Sequence, residues 1–147
     1  MSGVKVTGAR QARRNLTTLG GIAAQAMEDP AIEAMTIIER ETQQRYTAND
    51  SVLSGDLRGS LVTQAFRRRK TSIGVETGPT GKGIANAHLI EFGVDPHYQP
   101  ARNQMHPGHN PFPAMVPATI LKEREVLRRL EAGTARNLLR AAARMAR

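Results

Sequence analysis

The sequence predicts an α+β fold: a long N-terminal amphipathic helix or helix pair packed on a small antiparallel sheet, with a Pro-rich loop and C-terminal helices. Three observations predict it. Apolar residues recur every three or four positions from residue 12 to residue 46 and again after residue 116, period-two alternation marks residues 61–77, and six prolines fall between residues 95 and 117. With 147 residues, 39% hydrophobic and 3% aromatic, the chain suits a single domain with a modest core.

Val4 to Thr7 read as a short strand ended by Gly8. Ala12, Leu16, Leu19, Ala23 and Ala26 then form a helical stripe, interrupted by Gly20 and Gly21, which imply either a bend or a close approach to a neighbouring element. Asp29 and Pro30 have the character of an N-cap and first-turn pair. They open a second helix or mark a continuation of the first, carried by Ile32, Met35, Ile38, Thr42 and Tyr46. Residues 49–59, rich in Ser, Gly, Asp and Asn, read as a loop. Strands are expected over 61–67 and 71–77, with Arg68, Arg69 and Lys70 at an exposed hairpin turn.

Gly78, Pro79, Gly81 and Gly83 mark a turn, after which Ala85, Leu89 and Phe92 outline a short helix that Gly93 stops. Prolines at 96, 100, 107, 111, 113 and 117 leave little room for a ladder, so residues 95–117 are expected as loop. Val116, Ile120, Leu127 and Leu130 resume helical spacing, and after Gly133 an Ala- and Leu-rich helix closes the chain. The domain reading is one unit over 1–133 and a basic helical extension over 134–147.

Composition removes several function classes. Without cysteine there is no disulfide framework, thiol nucleophile or Cys-based zinc site. No window approaches the roughly 18 apolar residues of a membrane span, and the first fourteen residues hold no apolar signal segment, so a soluble chain made in the cytoplasm is expected. The glycines at 78–83 fail the phosphate-loop pattern, with Glu76 and Gly83 where Gly and Ser or Thr are needed, and the dinucleotide pattern fails at Asn86. His97, His106 and His109, with Asp95, are the best metal candidates, but they lack preorganised helical spacing. Ser54 and Ser60 lack a nucleophile-elbow context. Glu91 beside Phe92 and Gly93 reads as a cap or as a partner for an arginine of another subunit rather than as a catalytic acid. No catalytic residue, cofactor or metal is therefore expected.

The basic residues are better organised. There are 21 Lys and Arg against 13 Asp and Glu, and the stretch 122–147 holds eight basic residues against three Glu. Arg136, Arg140, Arg144 and Arg147 share one helical face, with Leu138, Ala142 and Met145 on another. Together with Arg67, Arg68, Arg69 and Lys70 they form a candidate basic interface, facing DNA phosphates, an acidic neighbouring subunit or solvent. With five aromatics in the chain, Tyr46, Phe66, Phe92, Tyr98 and Phe112, stacking on single strands has little to work with.

Three segments in order resemble the tail-completion, or head–tail joining, family of long-tailed bacteriophages. They are Ser54-Gly55-Asp56-Leu57-Arg58-Gly59-Ser60-Leu61, Ala87-His88-Leu89-Ile90-Glu91-Phe92-Gly93, and Asn110-Pro111-Phe112-Pro113-Ala114-Met115-Val116-Pro117-Ala118. Val94 stands where a Thr is common in the family, and the loop over 95–110 is longer than usual. The resemblance implies a structural virion protein of the neck or tail, assembled in the host cytoplasm and acting without catalysis. Its expected partners are copies of itself in a ring, six by analogy with tail tubes, the head connector or adaptor, and the tail terminator or tube. Genomic DNA would pass through the ring without sequence readout.

Candidate docking residues are Pro111, Phe112, Pro113 and Glu91, with Phe112 either an anchor in a partner's pocket or, the preferred reading, a plug for its own core. A basic channel lining would grip a passing genome. The C-terminal arginines are accordingly expected to meet acidic protein; a basic DNA-associated module is the alternative.

Overall fold

The computed structural model describes residues 8–48, 56–81 and 83–146. In chain order these form α1 (Ala9–Ala48), α2 (Asp56–Ser60), β1 (Leu61–Arg69), β2 (Ser72–Pro79), α3 (Gly83–Phe92), β3 (His97–Gln99), β4 (Gln104–His106) and α4 (Met115–Met145). The α+β class agrees with the sequence reading. The strand expected at residues 4–7 and the basic residue Arg147 lie outside the described residues.

Of the two alternatives at Asp29 and Pro30, the structure takes continuation: α1 is one 40-residue helix with Pro30 inside it. Proline has no N–H, so the carbonyl of Ala26, four residues earlier, loses its helical donor. The Asn137 side chain of α4 supplies one, its Nδ2 donating to Ala26 O at 3.1 Å. One turn further along each helix, Gly133 lies against the ring of Pro30. A Cβ at 133 would stand 2.7 Å from Pro30 Cβ.

This contact explains a departure from expectation at the C-terminus. Gly133 does not end a helix; α4 runs 31 residues through it, so the C-terminal helices foreseen are one, and the boundary expected at 133 falls mid-helix. Glycine there serves close packing, which outweighs its poor helix propensity of about 1 kcal/mol. Lys122 approaches Glu41 at 3.8 Å and Arg129 approaches Glu33 at 3.3 Å. With Gly133 on Pro30 and Asn137 on Ala26, these pairs make α1 and α4 antiparallel.

The hairpin covers an adjoining face of α1. β1 and β2 pair antiparallel from Leu61 with Pro79 to Phe66 with Gly74, then shift register before Arg69 pairs with Ser72. The bulge carries β1 two residues past its expected end, leaving Lys70 and Thr71 as the tip. Thr63 donates to Glu39 Oε2 at 2.6 Å and Thr77 donates to Met35 O at 3.4 Å, which seats the sheet on α1. At the tip, a Cβ on Gly20 would stand 2.8 Å from Thr71 Cγ2. The Gly20–Gly21 pair therefore marks a close approach within a continuous helix.

The core lies where the C-terminal end of α1 meets α2, α3 and the start of α4. It holds Tyr46, Leu57, Leu61, Ala87, Ile90 and Ala114, with Phe112 and Met115 packed against them. Residues 56–59, expected as loop, are helical and belong to α2. Leu57 and Leu61, four apart, both reach this core, and Ser60 Oγ donates to Leu57 O at 2.7 Å.

The Pro-rich stretch also departs from expectation. β3 and β4 pair antiparallel, His97 with His106, Tyr98 with Met105 and Gln99 with Gln104. Outside them, Val94 and His109 exchange two backbone bonds of 3.0 and 2.8 Å. The ladder survives because Pro96, Pro100 and Pro107 flank its three paired positions and occupy none of them.

Candidate interaction surfaces

Glu91 is the electrostatic centre of the core. It sits at the C-terminal end of α3, 8% exposed, and its Oε1 accepts three hydrogen bonds: from Tyr46 Oη at 3.1 Å, Ala114 N at 2.8 Å and Met115 N at 2.7 Å. Ala114, at the N-cap of α4, has no side-chain oxygen to cap the helix. A carboxylate borrowed from α3 does so instead, at the end where the helix dipole favours negative charge. Glu91 Oε2 is buried and has no hydrogen-bond partner among the described residues. The Tyr46 phenol titrates well above its ordinary value, first because it is buried, then because of the Glu91 charge and the hydrogen bond to it.

The other residues singled out with Glu91 divide. Phe112 is half-buried against the core, and its N–H donates to Ile90 O at 2.7 Å. Pro111 and Pro113, on either side, are exposed. Glu91 thus caps the start of α4 rather than its own helix end beside Gly93, and Phe112 lies against the core of its own chain.

The histidines are engaged locally. The rings of His97 and His106 stack across the β3–β4 pair at 5.1 Å, and His106 Nδ1 accepts from Gly108 N at 3.0 Å. His97 Nδ1 lies 2.9 Å from Asp95 O, and His109 Nδ1 lies 3.1 Å from Asn110 O. Among the described residues no three His, Asp or Glu side chains are grouped to hold a metal ion.

The basic residues converge at the opposite end of the molecule from the core. Thr71 lies over Gly20, and Ala26 receives Asn137, so three segments reach beyond that level: the start of α1, the hairpin tip and the end of α4. They carry Arg10, Arg13 and Arg14, then Arg69 and Lys70, then Arg136, Arg140 and Arg144, all exposed. The chain's 13 acidic residues all fall outside the stretches 8–27, 65–75 and 132–146. A groove of about 560 Å³ between α1 and the tip is lined by Thr17, Thr18, Gly21, Gln25, Arg69 and Lys70. Arg67 and Arg68 belong to β1, and their side chains lie outside the description.

Sequence reasoning missed Arg10, Arg13 and Arg14 as members of this group, because the periodicity of the N-terminal stripe points to its apolar side. The signal available was the run of twenty residues, 8–27, that contains three arginines and no acid.

A second groove, about 640 Å³, follows the α1–α4 seam and is lined by charges of both signs, among them Glu33, Arg40, Glu125, Arg128 and Arg129. Beside these polar features, α1 and α4 leave large apolar side chains outside: Leu16, Ile120, Leu121 and Leu139 are 61 to 73% exposed. No helix among the described residues is long and apolar enough to cross a membrane.

Comparison with known proteins adds no assignment: the chain matches no family model, no curated protein and no solved structure.

Proposed function

We propose that this chain is a structural subunit that assembles with copies of itself into a ring, as a neck or tail-end component joining a phage head connector to its tail around the DNA channel. The observation that carries the assembly reading is the apolar surface left on α1 and α4, led by Leu16, Ile120, Leu121 and Leu139. Burying one such side chain against a neighbour contributes about 1.5–3 kcal/mol, enough for a few of them to hold an interface together. The joining role rests on the ordered resemblance of residues 54–61, 87–93 and 110–118 to the tail-completion family, and the head connector and tail terminator or tube are the neighbours it implies.

Light scattering and negative-stain microscopy of the purified chain test this. The expected result is a closed particle, six copies on the tail-tube analogy, that Leu16→Glu or Leu139→Glu breaks into smaller species. A chain that stays monomeric at every attainable concentration, or assemblies indifferent to both substitutions, would overturn it.

The alternative, a basic DNA-associated module, draws support from one feature, the carboxylate-free basic end, which leads to the inference below.

A further inference from the structure

We infer that the basic end of the molecule is a seat for the phosphate backbone of duplex nucleic acid, gripped without sequence readout by the start of α1, the tip of the β1–β2 hairpin and the end of α4. It goes beyond the assembly reading and does not depend on it.

Eight exposed cations, Arg10, Arg13, Arg14, Arg69, Lys70, Arg136, Arg140 and Arg144, stand on three elements with no carboxylate in the same stretches of chain. Their side chains have no ion pair among the described residues, whereas Arg45, Lys122 and Arg129 elsewhere do. Contacts among copies of the same chain leave an excess, because each copy brings 21 basic residues and 13 acidic ones. The counter-charge for that excess comes from a different molecule, and the carboxylate-free stretches are where it is most concentrated.

Geometry favours a polyanion with regularly spaced charges. Arg136, Arg140 and Arg144 recur every four residues, about 6 Å apart along α4. Arg10, Arg13 and Arg14 share a face of α1 with Thr17 and Gly21, and those two residues line the groove beside Arg69 and Lys70. α1 projects eleven residues, about 16 Å, past the Gly20 crossing, so its arginines stand clear of the hairpin. Hydroxyl and amide side chains on the same stretch, Gln11, Asn15, Thr17, Thr18 and Gln25, are of the kinds that bond phosphate oxygens. Seven of the eight cations are arginine, which meets phosphate with a planar pair of donors. No aromatic residue falls within 8–27 or 132–146, so a stacking platform for separated bases is not what these two helix ends offer.

Fluorescence anisotropy with two labelled 30-bp DNA duplexes of unrelated sequence, over a salt series, tests the inference. Both duplexes are expected to bind with the same affinity, and log K should fall linearly with log salt because bound counterions are released. Replacing Arg136, Arg140 and Arg144 together by Gln should weaken binding by roughly tenfold or more and lower the salt slope by about one for each phosphate no longer neutralised. The triple change Arg10→Gln, Arg13→Gln, Arg14→Gln should do the same, while Arg102→Gln, beside β3, leaves binding unchanged. Circular dichroism checks that the helices persist in each variant.

Three outcomes would overturn the inference: no duplex binding at low salt, binding that both triple variants retain, or labelled poly-glutamate binding in place of DNA, which would assign the surface to an acidic protein. Light scattering on the same samples reads assembly separately. A chain that binds duplex as a monomer refutes the ring and keeps this inference, and a ring that ignores duplex does the reverse.

Discussion

Asn137 of α4 donates its side-chain amide to the carbonyl of Ala26 in α1, the carbonyl that Pro30 leaves without a helical partner. A residue that ordinarily breaks a helix becomes the point at which a second helix is held in register, with Gly133 seated on the proline ring one turn away.

Asn137→Ala is expected to lower stability by about 1–2 kcal/mol, since Ala26 is buried and its carbonyl would be left unsatisfied. In a Pro30→Ala background the helix regains its own donor, so the same substitution should weaken stability less. A double-mutant cycle by urea denaturation measures the difference; equal effects in both backgrounds would refute the coupling.

Gly133→Val places branched carbon where a single Cβ already falls 2.7 Å from Pro30. Crowding of this kind typically destabilises by about 1–3 kcal/mol, and the neighbour here is a ring fixed in a helix rather than a movable side-chain end. Thermal melts should show the effect. Gly20→Val, which meets only the exposed Thr71 side chain, should lower the melting temperature less.

Glu91→Ala removes the acceptor shared by Tyr46, Ala114 and Met115, and stability is expected to fall by about 2–4 kcal/mol as buried donors go unmet. Glu91→Gln keeps an acceptor and should retain part of that stability. Chemical denaturation ranks the two, and a ranking with Gln no better than Ala would contradict the capping role.

Tyr46 links stability to alkaline pH. Its phenol is shifted upward in the fold, so above the ordinary value near 10 the unfolded chain loses this proton while the folded chain keeps it. Stability contributed by Tyr46 is therefore full below pH 10 and declines as pH rises beyond it. Tyr46→Phe should show a shallower alkaline decline than the parent, and Glu91→Gln, by removing the charge, should bring the phenol back toward its usual range in an ultraviolet titration.

The position of Phe112 against the core predicts that Phe112→Ala lowers stability by about 2–4 kcal/mol, whereas Pro111→Ala and Pro113→Ala, both at exposed sites, change it far less. If the flanking prolines dock a neighbour, those two variants should fold and yet assemble poorly in light scattering.

Short-range chemistry was readable from the residues alone. The hairpin follows from alternation around Ile73 and Val75, and the end of α3 from Gly93, whose φ is +76°, whereas the helix that Glu91 caps, α4, has its N-cap 23 residues beyond it. What could not be read were features whose cause lies far along the chain. Pro30 is compatible with an unbroken α1 because of Asn137, 107 positions later, and Gly133 looks like a terminus until Pro30 is known to lie against it. The basic end was legible in parts, with Arg136 to Arg144 evident from spacing. Its size was not, because only folding sets Thr17 to Gln25 of α1 beside the hairpin tip.

The bridge between Val94 and His109 returns the backbone to nearly the place it left. From the standpoint of α3 and α4, everything between these two residues is a side excursion, and the route from Glu91 to Ala114 is already complete without it. Such an appendage can be shortened, lengthened or exchanged while the frame stands still. It is the natural place to graft a foreign epitope or label onto this protein.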